Sequence, residues 1–113
     1  MHEFIEEKIK SQSDELRAIC ERARVRRLDI FGSAVSGGFE PEHSDIDLLV
    51  AFDANYFPGM ADAYLELADS LERLFGRDVD LLTERSVRNP YLRDSIERSR
   101  TPIYEAGNAK TFV

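Results

Sequence analysis

The chain has 113 residues, 42% of them hydrophobic and 33% charged, and its formal net charge is -7. This length supports one domain over residues 1–113, and the composition is that of a globular protein rather than a disordered one. The negative charge argues against direct nucleic-acid binding, and no apolar run reaches the roughly 18 residues of a membrane-spanning helix.

The single cysteine, Cys20, excludes an internal disulfide. Free cysteines are typical of a reducing compartment, and the acidic N-terminus lacks the apolar stretch of a signal peptide. We therefore expect a cytoplasmic protein, not associated with a membrane, in which Cys20 is a small buried apolar side chain.

The N-terminal part of the chain is predicted to be helical. Apolar residues recur at helical spacing over the first two dozen residues, and a break near residues 11–13 would make Ser13 the N-cap of a second helix. A short strand is expected at Arg27–Phe31, ending at Gly32. The Gly and Pro residues between 36 and 44 predict a loop.

The middle of the chain predicts a β-α-β unit. The apolar run within Asp45–Phe52 predicts a strand that is buried on both faces. A helix is expected to begin at Pro58 and to stop at Gly76, which are typical residues for those positions. A further strand follows at Val79–Thr83, and a connection that contains a helix favours parallel pairing of the two strands.

The last part of the chain predicts one more helix and a short strand. The helix is expected to follow Pro90, with Leu92, Ile96 and Tyr91 turned inward. A short edge strand is expected near Ile103.

Paired carboxylates open two of the predicted strands, because the motif Asp-x-Asp-Leu-Leu occurs at residues 45–49 and again at 78–82. In parallel strands both N-terminal ends lie at one sheet edge, and side chains at i and i+2 share a face. Asp45 and Asp47 are therefore expected side by side, with Asp80 joining them. Such carboxylates repel one another without a cation, and their oxygens suit Mg²⁺ or Mn²⁺. The alternative is two acidic strand ends that face water.

The dipeptide Gly32-Ser33 directly follows the first predicted strand. Glycine lets a backbone approach a phosphate closely, the free N–H groups of such a turn attract anions, and the Ser33 hydroxyl adds a donor. An ordinary tight turn is the alternative. Together with Asp45 and Asp47, this turn would pair a phosphate-binding segment with a metal site, which is the combination that nucleotidyl transfer requires.

The spacing of these residues resembles a known signature. Gly32-Ser33, eleven intervening residues, Asp45-x-Asp47 and a later strand residue, Asp80, resemble the pattern of the polymerase-β-like nucleotidyltransferases. The phrases LDIFGS and SDIDLLV are similar to those of the minimal, MNT-type members in particular.

This likeness is strongest over residues 25–82 and continues more weakly over residues 89–106. It implies an α/β (α+β) fold, in which a small mixed β-sheet forms the palm of the nucleotidyltransferase fold and is flanked by helices. It also implies that residues 1–113 form a single minimal nucleotidyltransferase domain.

MNT-type proteins are similar to antitoxins that are encoded beside a HEPN-domain ribonuclease toxin. The resemblance implies that AMP is transferred from ATP to a tyrosine of that toxin, with release of pyrophosphate. The expected partner is therefore a HEPN-domain toxin protein, in a hetero-oligomer, and ATP is the expected substrate.

The resemblance also implies roles for individual residues. Asp45 and Asp47 would hold the metal ion that is bound to the nucleotide phosphates. Asp80, together with Asp45 and Asp47, would hold a second ion, so that the expected cofactor is two Mg²⁺ ions, with Mn²⁺ as a substitute. Gly32 and Ser33 would hold the triphosphate.

The sequence departs from the family pattern at one position. Many relatives carry Arg three residues after the Gly-Ser serine, whereas this chain has Ser36, which cannot replace a bidentate phosphate donor. Arg26 and Arg27 are the candidates to substitute for it. Asp78 is an alternative to Asp80 as the third carboxylate.

The residues outside these motifs are expected at the surface, among them His43 in the loop and the aspartates Asp29, Asp53, Asp62, Asp69 and Asp94. Two other functions stay open. One is an antitoxin with weak or no catalysis that neutralises its toxin by binding alone. The other is a transferase for small hydroxylated molecules of the aminoglycoside type.

Overall fold

The computed structural model describes residues 1–107, so the last six residues of the predicted domain lie outside the described part. The elements in chain order are α1 (Glu3–Ser11), α2 (Ser13–Arg22), β1 (Val25–Phe31), α3 (Ser33–Ser36), β2 (Ile46–Phe52), α4 (Met60–Phe75), β3 (Val79–Thr83), a 3-10 turn (Glu84–Ser86), α5 (Pro90–Ser99) and β4 (Thr101–Glu105). None of the helices within residues 1–107 is long and apolar enough to cross a membrane.

The four strands form one sheet in the order β3-β2-β1-β4. Strand β2 pairs with β3 in parallel, whereas β1 is antiparallel to both β2 and β4. The sheet is therefore mixed, and the predicted α/β class and the parallel β-α-β unit are confirmed. The expected edge strand near Ile103 is also confirmed, as β4.

The two faces of the sheet carry different cores. Leu28 and Leu48 belong to the larger cluster, which packs against α1, α2 and α4. Leu49 and Phe31 point to the opposite face, where they meet Ile96 of α5 in a small cluster. Because side chains alternate along a strand, Asp47 lies on the same face as Leu49. The acidic motif is thus on the face that α5 covers.

Local chemistry explains where the helices around this sheet begin and end. The side-chain oxygen of Asn89 accepts hydrogen bonds from the amides of Tyr91 and Leu92, at 2.8 and 3.4 Å, and Pro90 occupies the first helical position of α5. Gly76 ends α4, with its amide bonded to the Glu72 carbonyl at 2.8 Å. These features are the start and stop signals that the sequence predicts.

Strand β1 begins at Val25 rather than Arg27, and β2 at Ile46 rather than Asp45. Three details of the helices also differ from the predictions. Helix α4 begins at Met60 rather than Pro58, because Gly59 has a positive φ of 83° and interrupts the helical path. Ser13 is the first residue of α2 rather than its N-cap. In α5 only Ile96 is buried, whereas Tyr91 and Leu92 are 85% and 39% exposed, since a short helix touches the sheet along a single stripe.

Candidate active site at the start of strands β2 and β3

The carboxylates of the two acidic motifs converge at one sheet edge. In the parallel register Asp47 lies opposite Asp80, and Asp45 immediately precedes β2. Neighbouring strands are about 4.8 Å apart. Asp47 is half-buried, whereas Asp45 and Asp80 are exposed. The register therefore brings Asp47 next to Asp80, and the charges of Asp80 and Asp45 both act on Asp47.

The carboxylates at this sheet edge repel one another when no cation is bound. Burial, and then repulsion from Asp80 and from Asp45, together raise the pKa of Asp47 to about 6. Three carboxylates in one place favour the protonated form of the most buried one. A bound cation would reverse this preference.

The donor set fits a hard divalent cation, but it is not closed around one point. Carboxylate oxygens are the ligands that Mg²⁺ and Mn²⁺ prefer. Within residues 1–107, no three His, Cys, Asp or Glu side chains are arranged so that they could hold a metal ion as they stand. The repulsion felt by Asp47 and the lack of a closed metal site are compatible, because charge repulsion acts over a longer distance than ligation. Asp45 and Asp80 are exposed, so joint ligation with Asp47 would require their side chains to turn toward it.

Gly32 lies directly against Asp47. Its φ is 76°, and a Cβ atom added there would be only 2.5 Å from Oδ2 of Asp47. A side chain at this position would therefore be strained and would collide with the carboxylate. The Gly32 amide donates to the hydroxyl of Ser99 at 3.0 Å, so it is already engaged. Gly32 thus supplies space and backbone geometry here, rather than the free donor that the sequence suggests.

Ser33 is the other residue of the turn, and it begins α3. The Ser33 hydroxyl forms no hydrogen bond with the rest of residues 1–107, which leaves it able to donate to a ligand. The Ser36 hydroxyl, by contrast, donates to the Gly32 carbonyl at 3.0 Å and braces the turn. Ser36 therefore has a structural contact where many relatives would have a phosphate-binding arginine.

The two arginines that were candidates to replace that missing residue lie elsewhere. Arg27 precedes Gly32 by five strand residues, which is roughly 16 Å along β1, and Arg26 is one residue further away. The guanidinium of Arg27 is also bonded to Asp29 at 2.8 Å. The expectation that Arg26 or Arg27 substitutes is therefore wrong, because an extended strand carries both away from the turn.

Asp29 is the residue that the sequence analysis misplaced. It is expected at the surface, yet its exposure is 0%. It accepts hydrogen bonds from Arg27 at 2.8 Å and from Arg100 at 2.7 Å. Arg100 bonds in turn to Glu84 and Glu97, at 2.7 and 2.8 Å. The available signal was the position of Asp29 inside an apolar strand, where a charge must be paired.

The remaining acidic and basic candidates take no part in the cluster. Asp78 is exposed, and its carbonyl accepts the Ile46 amide at 3.1 Å. The repulsion felt by Asp47 comes from Asp80 and Asp45, not from Asp78. His43 is exposed in the loop, as expected. The geometry favours Asp80 over Asp78 as the third carboxylate.

A groove of about 930 Å³ opens at the opposite ends of β2 and β3. It is lined largely by apolar side chains, among them Phe52, Met60, Tyr64 and Leu82. The acidic cluster, at the beginning of the same strands, is exposed to solvent instead. Asp45 and Asp80 therefore lie at an open end of the sheet, outside the groove.

Comparison with known families gives a match over most of the chain. The model of the family described as "Nucleotidyltransferase domain" matches residues 13–103. A "Putative protein adenylyltransferase" of Methanocaldococcus jannaschii is 43% identical over 77 residues, which are 68% of this chain and 75% of the relative. "Protein adenylyltransferase MntA" of Thermococcus cleftensis is 38% identical over 87 residues, which are 77% of this chain and 81% of the relative.

Solved structures share the fold. A structure described as a "putative minimal nucleotidyltransferase" has a TM-score of 0.67 and 32% identity, and the match covers 85% of this chain and 93% of that one. An MNT antitoxin in complex with a tri-AMPylated HEPN toxin of Shewanella oneidensis matches with a TM-score of 0.57. That match covers 87% of this chain and 73% of the other, at 20% identity, which is evidence for a common fold.

Proposed function

Because the chain belongs to the nucleotidyltransferase domain family, we propose that it is an antitoxin that transfers AMP from ATP to a tyrosine hydroxyl of a HEPN-domain toxin. The observation that supports this proposal is the pairing of Asp47 with Asp80, with the charge of Asp45 also acting on Asp47, beside the Gly32-Ser33 turn. The names of the relatives, which are protein adenylyltransferases, support the reaction. The complex of an MNT antitoxin with an AMPylated HEPN toxin supports the partner.

Each residue of the site has a different role in the proposed reaction. Two divalent cations held by Asp45, Asp47 and Asp80 would neutralise the triphosphate and lower the pKa of the attacking hydroxyl. The Ser33 hydroxyl donates to a phosphate oxygen, and Gly32 keeps the space beside Asp47 clear. The tyrosine hydroxyl gives up its proton to water as its oxygen bonds to the α-phosphorus, and the bond from that phosphorus to pyrophosphate breaks, so that pyrophosphate leaves. Catalysis thus rests on positioning and charge neutralisation.

The openness of the site supports a macromolecular acceptor. Asp45 and Asp80 are exposed at the sheet edge. A tyrosine on a protein surface reaches such an edge without entering a closed cavity. The net charge of -7 would also help to attract a basic, RNA-handling partner.

A second candidate is an antitoxin that acts by binding alone. It is favoured by the chemistry of the turn, since Ser36 braces the Gly32 carbonyl and the Gly32 amide is bonded to Ser99. Fewer donors then remain for a triphosphate than in relatives that carry an arginine at this position. In this case the carboxylates would bind a cation without turnover.

One experiment separates the two. The purified chain is mixed with ATP, Mg²⁺ and the product of the adjacent gene, and tyrosine adenylation is followed by mass spectrometry. We expect adenylation by the wild-type protein and a loss of about 100-fold or more in a variant with Asp45→Asn and Asp47→Asn. The matched control, Asp78→Asn, should keep the activity.

The outcomes differ for the two candidates. An absence of adenylation with both Mg²⁺ and Mn²⁺ would contradict the enzyme. If the double variant still forms the complex and still protects cells from the toxin, neutralisation proceeds by binding alone.

A further inference from the structure

The last residue of α5 is bonded to the turn of the candidate active site. The Gly32 amide donates to the Ser99 hydroxyl at 3.0 Å, across 67 residues of sequence. The Ser99 hydroxyl itself donates to the Ser95 carbonyl at 3.2 Å. A hydroxyl has one hydrogen to donate and two lone pairs to accept with. Donation to Ser95 therefore aims the lone pairs of Ser99 at the Gly32 amide.

The end of α5 that carries Ser99 is itself held in place. The next residue, Arg100, has a side chain that is only 17% exposed. Its guanidinium bonds to Asp29 of β1 at 2.7 Å, to Glu84 at 2.7 Å and to Glu97 at 2.8 Å. Charge-assisted bonds of this kind have well-defined geometry. Ser99 is therefore a fixed support for the turn rather than a mobile surface hydroxyl.

The turn cannot move without affecting the site. Gly32 is so close to Asp47 that an added Cβ would be 2.5 Å from the carboxylate oxygen. Ser33 follows Gly32 directly, so any shift of the Gly32 backbone also moves the Ser33 hydroxyl. A displaced Ser33 hydroxyl would hold a bound reactant less well in its productive position.

We propose that Ser99 is a positioning residue of the nucleotide site. Its hydroxyl fixes the Gly32-Ser33 turn, so that the Ser33 donor faces the triphosphate. This inference rests on the proposed function. Because Ser99 acts through the turn and not on the reacting atoms, its removal weakens nucleotide binding rather than the chemical step.

Three variants test the inference in the full-length chain. Ser99→Ala removes the acceptor of the Gly32 amide, whereas Ser99→Thr keeps a hydroxyl that can still bond the carbonyl four residues earlier. Ser95→Ala is the matched control, since it removes an exposed hydroxyl from the same helix and leaves its carbonyl in place. Circular dichroism at the assay temperature verifies that all three are folded.

In the kinetic assay we expect a change in KM without a comparable change in kcat. We expect Ser99→Ala to raise the KM for Mg·ATP about tenfold, with kcat within about twofold of wild type. Ser99→Thr and Ser95→Ala should keep the wild-type KM. An unchanged KM in Ser99→Ala, a loss confined to kcat, or an equal effect of Ser95→Ala would each overturn the inference.

Amide hydrogen exchange gives a second, independent result. The Gly32 amide should exchange about tenfold faster in Ser99→Ala than in wild type, and at the wild-type rate in Ser95→Ala. Equal exchange in all three proteins would overturn the inference even if the enzyme is active.

Failure of the proposed function would look different. An inactive wild-type chain that binds Mg·ATP would contradict the transfer reaction, and the Kd from calorimetry would then replace KM. A Kd that Ser99→Ala leaves unchanged would overturn the role of Ser99. A wild-type chain that does not bind ATP would overturn both.

Discussion

Two aspartates on the same face of the sheet have opposite surroundings. Asp29 lies on β1 and Asp47 on β2, and the register places Phe31 opposite Asp47 and Leu49 opposite Asp29, so that the two are only two positions apart. Asp29 is fully buried but bonded to two arginines. Asp47 is half-buried, and its neighbours Asp80 and Asp45 are also acidic.

The difference shows that the same residue type is compensated by the fold in one place and left among like charges in the other. The arginines compensate the charge of Asp29, which therefore joins β1 to the end of α5. Among residues 1–107 no arginine or lysine pairs with Asp47 in this way, and its pKa of about 6 reflects burial and repulsion. A charge that the fold leaves uncompensated is one that an external cation can stabilise.

The largest effect on stability should come from the compensated site. Asp29→Ala leaves the half-buried Arg100 guanidinium without its strand partner, and we expect a loss of about 3 kcal/mol in the free energy of unfolding. Urea denaturation measures it. The control is Asp53→Ala, which breaks an exposed pair with Arg24 (3.1 Å) and should cost less than about 1 kcal/mol. Equal losses in the free energy of unfolding in both variants would contradict the expected difference between a buried and an exposed ion pair.

The uncompensated site should respond in the opposite direction. Asp47→Asn removes one of three repelling charges, so at pH 7 without divalent ions we expect the free energy of unfolding to rise by about 1 kcal/mol. The same denaturation experiment measures it, with exposed Asp78→Asn as the control. A destabilised Asp47→Asn variant would mean that the carboxylate has a structural partner, as Asp29 does.

The pH dependence of stability is a further test of the environment of Asp47. The folded-state pKa of Asp47 is raised to about 6 by burial and then by Asp80 and Asp45. The folded chain therefore holds this proton more tightly than the unfolded chain. Its contribution to stability is fully present below the ordinary aspartate pKa and is lost as the pH rises through about 6. The free energy of unfolding of wild type and of Asp47→Asn is measured at intervals from pH 4 to about pH 7, and the difference between them should show this loss.

If the difference in the free energy of unfolding between wild type and Asp47→Asn does not change over that pH range, the raised pKa of Asp47 is contradicted. Addition of Mg²⁺ at neutral pH should reduce the difference between the two proteins, because the cation neutralises the carboxylates in wild type.

Much of the acidic site follows from the sequence by simple rules. Strand β3 lies at the predicted residues, Val79–Thr83. The alternation of side chains and the parallel pairing that a helical connection favours are enough to bring Asp47 and Asp80 together. Both rules are local, since each depends on the period of one strand or on one connection.

The surroundings of Asp29 and Gly32 could not be predicted in this way. Arg100 is 71 residues from Asp29, and Ser99 is 67 residues from Gly32. These contacts depend on how α5 packs across the sheet, which the short apolar stripe of α5 does not specify. The same limit explains the error at Tyr91, which has an apolar ring but lies outside that stripe. Local patterns thus predict elements and their order, whereas the partners of single polar groups depend on tertiary packing.

The central claim is that Asp45, Asp47 and Asp80 jointly bind divalent cations at the Gly32-Ser33 turn. Titration with Mn²⁺, followed by electron paramagnetic resonance in the presence of a non-hydrolysable ATP analogue, tests it most directly. The account predicts that wild type and Asp78→Asn bind Mn²⁺ equally, and that Asp80→Asn weakens binding by about tenfold or more. Wild-type affinity in Asp80→Asn would contradict it.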